Sequence, residues 1–327
     1  MNWQSHFQSV FFDAWQSAGL PHHDHFLPAY YTMLEQRDKK IEWIENSAGI
    51  DHSRLYDVYG FGATVGKVFG AMFDLTADET KHASDWCGRF NLGISLFDYI
   101  SDEQDGATSV TSLKVFHPFN NSTYSDIRSL SSSEELLSNL SITILSDVNN
   151  SPCKDSLLKA MQQMFEAEDF ISSTKLSANA DLDQINNALY LKSAEPFRVM
   201  AEYTAGIKAA TDSMLLNNAD VIGKAIGSCY WIIDDAKDVW IDLEAGHWNL
   251  FLHAAAEEEA DIFTGQTDAN SKEHLFSIWK KSGHAQKISD QCIRNMVAAV
   301  EKMELPEKVK EHTLGIVSAS LWQWYHS

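Results

Sequence analysis

Apolar residues recur at three- and four-residue steps along nearly all of this 327-residue chain, a period that admits helices and little else. Residues 55–73 follow it. Thr76-Ala77-Asp78-Glu79 reads as an N-cap with an acidic residue three positions on. It opens a long helix through His82, Trp86, Phe90, Leu92, Leu96 and Ile100. Residues 155–172 place Leu158, Met161, Met164 and Phe165 on one face. The same period predicts helices over 182–190, 199–215, 219–241, 273–279 and 285–303. A last helix starts at Leu305-Pro306-Glu307 and ends in Leu321-Trp322-Gln323-Trp324-Tyr325. No segment shows two-residue alternation between hairpin turns, and Ile142-Thr143-Ile144-Leu145 fits a strand or a helix equally well. The stretch 107–150 reads as a loop or a helix-broken insertion, and 257–272 as a second polar stretch. Neither differs enough in composition to mark a boundary. The expectation is one all-α domain over 1–327, with roughly ten helices.

Charge narrows the partners. Lys and Arg number 25 against 46 Asp and Glu, a formal charge of −21. That field repels a phosphate backbone or an anionic membrane, so nucleic acid is excluded as an expected partner. No uninterrupted apolar run is long enough to span a bilayer. The first residues lack the basic and apolar regions of a secretory leader. The cysteines, Cys87, Cys153, Cys229 and Cys292, are widely spaced. They suggest neither a zinc knuckle nor a disulfide framework, and the expected compartment is the cytoplasm.

Two acidic clusters concentrate the chemistry. In Phe97-Asp98-Tyr99-Ile100-Ser101-Asp102-Glu103, Asp98 and Asp102 lie four apart and share a helix face. Acids also crowd the end of that helix, where the macrodipole disfavours them. In Tyr230-Trp231-Ile232-Ile233-Asp234-Asp235-Ala236-Lys237-Asp238, Asp234 and Asp238 are again four apart, with Asp242 one turn further. They follow a largely apolar run, as at the mouth of a pocket. Mg²⁺ takes hard oxygen ligands and is commonly held by carboxylates together with substrate phosphates. Two facing carboxylate pairs suit a small set of Mg²⁺ ions around a diphosphate. The ions would also screen the acids from an anionic substrate.

In these motifs the sequence resembles the class I isoprenoid (terpenoid) synthase superfamily, most closely the trans-isoprenyl diphosphate synthases. Asp98-Tyr99-Ile100-Ser101-Asp102 is similar to the first Asp-rich motif of that family, with Tyr99 at its second Asp. Asp234-Asp235-Ala236-Lys237-Asp238 matches the second. Lys192-Ser193-Ala194-Glu195-Pro196-Phe197, 42 residues ahead of Asp234, resembles the family's Lys-Thr step at a helix break. Phe165-Glu166-Ala167-Glu168 is similar to its Glu-Gly-Gln turn. The resemblance implies a helical bundle around a central apolar cavity and a homodimer. It implies up to three Mg²⁺ ions, with ligands at Asp98, Asp102, Asp234, Asp235 and Asp238. It also implies diphosphate contacts from Lys192, Lys237 and Arg54 or Arg198, although a helix-end ion pair accounts equally well for Arg198. The departures cluster on the acceptor side. Only Arg54 stands for the basic motif that binds isopentenyl diphosphate, and Gln104-Asp105-Gly106 replaces the paired arginines.

Aromatics suit a carbocation, since a desolvated cation is attracted to a ring face. Phe97, Tyr230 and Trp231 are the expected cavity residues. The expected reaction is therefore Mg²⁺-dependent ionisation of an allylic prenyl diphosphate. The first expectation for the cation is intramolecular capture, by a noncanonical terpene synthase or cyclase. The alternative is a prenyltransferase, either prenyl diphosphate synthase-like or passing the prenyl group to a non-isoprenoid acceptor. A non-catalytic partner subunit is a third reading, against which the retained second motif argues. Outside this set, Cys229 reads as a packed small hydrophobe. His22-His23-Asp24-His25, between Pro21 and Pro28, has metal-ligating side chains but reads as a solvated loop.

Overall fold

A computed structural model describes residues 3–35, 41–45, 52–103, 132–177, 179–208, 213–259, 262–263 and 269–326. Every regular element among them is helical. The order is α1 (Trp3–Ser17), a 3₁₀ turn (His23–His25), α2 (Leu27–Glu35), α3 (Glu42–Glu45), α4 (His52–Met72) and α5 (Ala77–Glu103). Then come α6 (Ser132–Asn149), α7 (Lys154–Ser173), α8 (Leu182–Ser193), α9 (Glu195–Lys208) and α10 (Ser213–Ala245). The chain ends with α11 (Leu250–Glu258), α12 (Ala269–Ser282), α13 (His284–Glu301) and α14 (Glu307–His326). Two compact units result. One comprises Met1–Leu27, Glu166–Arg198 and Val221–Ser327; the other comprises Pro28–Phe165 and Val199–Asp220.

The second unit is organised by the α4–α5 pair. Gly62 lets the two backbones approach, because a Cβ there would overlap the Cys87 carbonyl. Ser84 Oγ donates to the Ala63 carbonyl and Asn91 Nδ2 to that of Val58, so these polar side chains are satisfied across the close contact. The α5 start is a capping box. The Thr76 amide and hydroxyl each donate to Glu79 at 2.8 Å, and the Glu79 amide donates back to Thr76. Arg89 on α5 bonds both Asp85 and Asp147, tying α5 to α6.

The structure refines the period in two places. Within 107–150, residues 132–149 form α6, in line with the helix-broken alternative and not with the loop. Leu136, Leu140, Ile144 and Val148, four apart and all buried, make the apolar stripe that settles Ile142–Leu145 as helix. The serines around that stripe hide it from a composition-led reading, and 104–131 lie outside the described residues. The helix expected to begin at 219 begins at Ser213, six residues earlier.

The first unit is built on aromatic packing. Trp3 of α1 meets Phe251 at 4.8 Å and Trp279 at 4.5 Å between ring centroids. Its indole N–H donates to the Ala236 carbonyl on α10 at 3.1 Å. A buried Trp with its N–H satisfied contributes a large apolar area at no polar cost. Cys229 of α10 and Cys292 of α13 are buried against one another as free thiols, despite lying 63 residues apart. Burial pushes the Cys229 thiol well above its usual pKa, so it packs rather than reacts.

Among the described residues, none is within hydrogen-bonding reach of the buried Nε2 of His284, at the start of α13. Burial, with the Lys287 charge second, lowers its pKa from 6.5 to about 4. Between those values the unfolded chain binds the proton and the folded one does not. The contribution to stability is therefore complete above pH 6.5 and lost as pH falls through about 4. His284→Phe keeps the volume and removes the titration. Urea unfolding at pH 7 and pH 4.5 should show a stability difference about 2 kcal/mol smaller in the variant than in the wild type.

Candidate functional site

Helix α10 carries four aspartates, Asp234, Asp235, Asp238 and Asp242, toward its C-terminal end. Its earlier turns are apolar, with Ile222, Ile226, Cys229 and Ile233 buried. The acids continue the helix directly from that buried face and are withdrawn from water with it. Burial raises the pKa of Asp234, Asp235 and Asp238 and lifts that of Asp242 to about 6. The charge of Asp238 also raises Asp234.

Each acid has a different neighbour. The Asp235 carboxylate accepts the Leu250 amide at 2.6 Å and the Trp231 indole N–H at 3.0 Å. Leu250 opens α11, so this charge sits at a helix N-terminus, where the macrodipole favours it. Asp242 accepts from Asn249 Nδ2 at 2.7 Å, and the same amide nitrogen reaches the Asp235 carbonyl. Asp234 accepts the indole N–H of Trp324, from α14, at 2.9 Å. Lys237 lies over the Trp324 ring, 5.8 Å from its centroid, and its charge favours the ionised forms of Asp234 and Asp238.

A second cation arrives from the α8–α9 break. Lys192, in the last turn of α8, pairs with the buried Glu168 of α7 at 3.1 Å. Ser172 also donates to that carboxylate. The Lys192 charge is felt at both Asp234 and Asp242, where it opposes the effect of burial. Ala194 closes α8, and Pro196 stands in the first turn of α9, where a missing N–H costs nothing. Helix α10 packs against this break through Gly227, whose added Cβ would overlap the Ala194 carbonyl.

The remaining sequence-expected residues are placed as follows. Tyr230 stacks on Phe197 at 4.6 Å and donates its hydroxyl to Ser320, and Trp231 meets Tyr190 edge to face. Both are buried in the first unit. Arg198 is buried too, and its Nε donates to Glu195 across the first turn of α9. In the second unit, Phe97 is buried against Phe165 at 4.7 Å, and Asp98 follows it half-buried on α5. Asp102 lies one turn on in α5, with its side chain outside the described residues. Arg54 is exposed in the first turn of α4. Sequence reasoning missed Asn249, because its role needs the turn after α10 to fold back. It also missed that Trp324 reaches Asp234, for which the only signal was the aromatic density of the last ten residues.

The fold is that of the all-helical trans-isoprenyl diphosphate synthases. Among solved structures, a decaprenyl diphosphate synthase from Rhodobacter capsulatus matches with TM-score 0.63 at 15% identity, over 92% of this chain and 98% of that one. A geranylgeranyl pyrophosphate synthetase from the archaeon Geoglobus acetivorans matches with TM-score 0.62 at 14% identity, over 91% and 99%. A heptaprenyl diphosphate synthase from Staphylococcus aureus matches with TM-score 0.54 at 13% identity, over 92% and 98%. No protein-family pattern and no curated protein sequence matches the chain.

Gly227→Ala should lower stability by about 1–3 kcal/mol, since the added methyl meets backbone rather than a mobile side chain. Urea unfolding of variant and wild type measures the loss. A silent Gly227→Ala would mean that the α8–α9 break is not held by α10.

Proposed function

We propose that the chain acts on prenyl diphosphates, ionising an allylic diphosphate with the aid of Mg²⁺ and transferring the prenyl group to an acceptor. The observation that carries this reading is the paired half-buried carboxylates Asp234 and Asp238. The charge of Asp238 raises the pKa of Asp234, Lys237 of the same helix acts on both, and Lys192 of α8 acts on Asp234. Repulsion between buried acids is what a divalent cation relieves, so the residues present fit Mg²⁺. Asp98 and Asp102 join as further ligands on the strength of their motif, and Arg54 and Arg198 as diphosphate contacts on the resemblance alone. When bound, the ions would neutralise the diphosphate and so improve it as a leaving group.

The protein's own residues set up that step. Trp324 fixes the orientation of Asp234 by its indole hydrogen bond. Lys237 and Lys192 provide positive charge for diphosphate oxygens. Asp235 accepts the α11 amide and the Trp231 indole through one oxygen, Oδ2, and so anchors the helix, while Asp234 and Asp238 carry the main ligand role in this proposal.

Prenyl transfer is the better supported fate of the cation. The solved structures named above that share the fold are prenyl diphosphate synthases. The cyclising reading leaned partly on Trp231, whose indole is engaged by Asp235 within the core. The test is to incubate the protein and Mg²⁺ with C10, C15 and C20 allylic diphosphates, with and without isopentenyl diphosphate. Prenyl transfer predicts longer diphosphates only when isopentenyl diphosphate is present, or consumption that awaits another nucleophile. Hydrocarbon or alcohol products from the allylic diphosphate alone would restore the cyclase.

Substitutions separate the roles of the acids. Asp234→Asn and Asp98→Asn should each slow diphosphate release by about 100-fold or more while the unfolding midpoint holds. Asp235→Asn should do the reverse. Its amide oxygen still accepts one N–H, so release continues, while stability falls by about 1–3 kcal/mol.

A further inference from the structure

The sequence His22-His23-Asp24, read above as a solvated loop, is not solvated at its centre. His23 is 5% exposed. Its ring stacks flat on Trp322 of α14, with centroids 3.8 Å apart and planes 7° from parallel, and Phe12 of α1 meets it edge-on at 5.4 Å. The His22 ring lies over the other side at 4.1 Å. The position of the His23 imidazole is therefore fixed before anything binds.

Around that fixed ring three potential ligands of two types, imidazole and carboxylate, converge. His23 Nε2 is 3.3 Å from Asp24 Oδ1, and His22 Nδ1 is 3.5 Å from Asp24 Oδ2. All three ligand atoms fall within 4.8 Å of one another. The two contacts to Asp24 fall on different carboxylate oxygens, and each is close to the about 3.3–3.4 Å that separates two atoms bound at about 2.0–2.1 Å to one tetrahedral ion. The only hydrogen bond in the way is weak, from the Asp24 amide to His22 Nδ1 at 3.4 Å. Asp24 is exposed, which leaves water as a fourth ligand. Two imidazoles and one carboxylate favour a borderline ion such as Zn²⁺ over Mg²⁺, which prefers all-oxygen sites.

We propose that His22, His23 and Asp24 form a binding site for a transition-metal ion of the Zn²⁺ class, separate from the carboxylates of α10 and independent of the function proposed for them. The ion would clamp the 3₁₀ turn after α1 in the arrangement that seats His23 on Trp322. His326, one turn beyond Trp322, is already committed to the Trp322 carbonyl and to Gln8. His25 lies outside the cluster, its ring 6.4 Å from that of His22.

The test uses the full chain, stripped by a chelator and kept in excess Mg²⁺ so that hard-oxygen sites are filled. Zn²⁺ and Co²⁺ are then titrated in. The site predicts one equivalent bound at His ligands, a visible Co²⁺ band of four-coordinate character, and a thermal midpoint higher by about 3–6 °C at saturating Zn²⁺. His22→Gln and Asp24→Asn, both partly or largely exposed to water, should weaken Zn²⁺ binding at least about tenfold and abolish the band, whereas His25→Gln should change neither. His23→Gln should also lose the ion, and the first two variants keep the test valid if that one unfolds. Zn²⁺ binding unchanged in His22→Gln and Asp24→Asn, or no binding by the wild type in excess Mg²⁺, overturns the proposal.

Discussion

The burial of negative charge along one helix governs the first unit. Four aspartates stand within nine residues of α10, and burial raises the pKa of every one. An isolated carboxylate withdrawn from water is costly unless hydrogen bonds or opposite charge compensate. Asp235 is compensated by the start of α11 and by Trp231, and Asp242 by Asn249. Asp234 and Asp238 remain, with one indole N–H at Asp234 and two lysines acting at a distance. Compensation is thus most complete where a carboxylate holds the fold together. It is thinnest at the two acids one helical turn apart, where a bound cation would complete it.

The scaffold that holds this arrangement is aromatic and apolar. Trp3 grips the carbonyl of Ala236, between Asp235 and Lys237, so α1 steadies the helix at its most charged point. Tyr230 is held between Phe197 and Ser320. Pinning α10 from several sides fixes the directions of its side chains, and a helix so fixed can keep acids half-buried that a mobile one would release to water.

Long periodic helices were legible in the sequence, because burying one face leaves a three- and four-residue imprint whatever the partner is. So were the Thr76–Glu79 capping box and the spacing of Asp234 and Asp238, which are local. What stayed hidden depends on distant pairing. Lys192 needs Glu168, 24 positions away, to be held, and Asp234 needs Trp324, 90 positions away. No period in the sequence records such pairings. Asp235 is a further case: the motif marks its carboxylate, and no local pattern shows that one of its oxygens accepts an amide 15 residues on. Consecutive helical residues point about 100° apart, so adjacent acids rarely share a task.

The last helix draws these threads together. Ser320 and Trp324, four apart and so on one face of α14, receive Tyr230 and reach Asp234. Trp322 and His326, again four apart, face the N-terminal segment, stacking on His23 and meeting Gln8. Tyr325 donates to the Gln4 carbonyl of α1. Seven residues at the end of α14 therefore bond both the acidic helix and the segment around α1. Because a helix moves as a rigid rod over so short a length, its register against α1 also sets where the Trp324 indole meets Asp234. On the proposed reading, the fit of the N-terminal segment is then part of how the first metal ligand is aimed. That would account for a chain that invests Phe12, His23 and Trp322 in a contact remote from the carboxylates themselves.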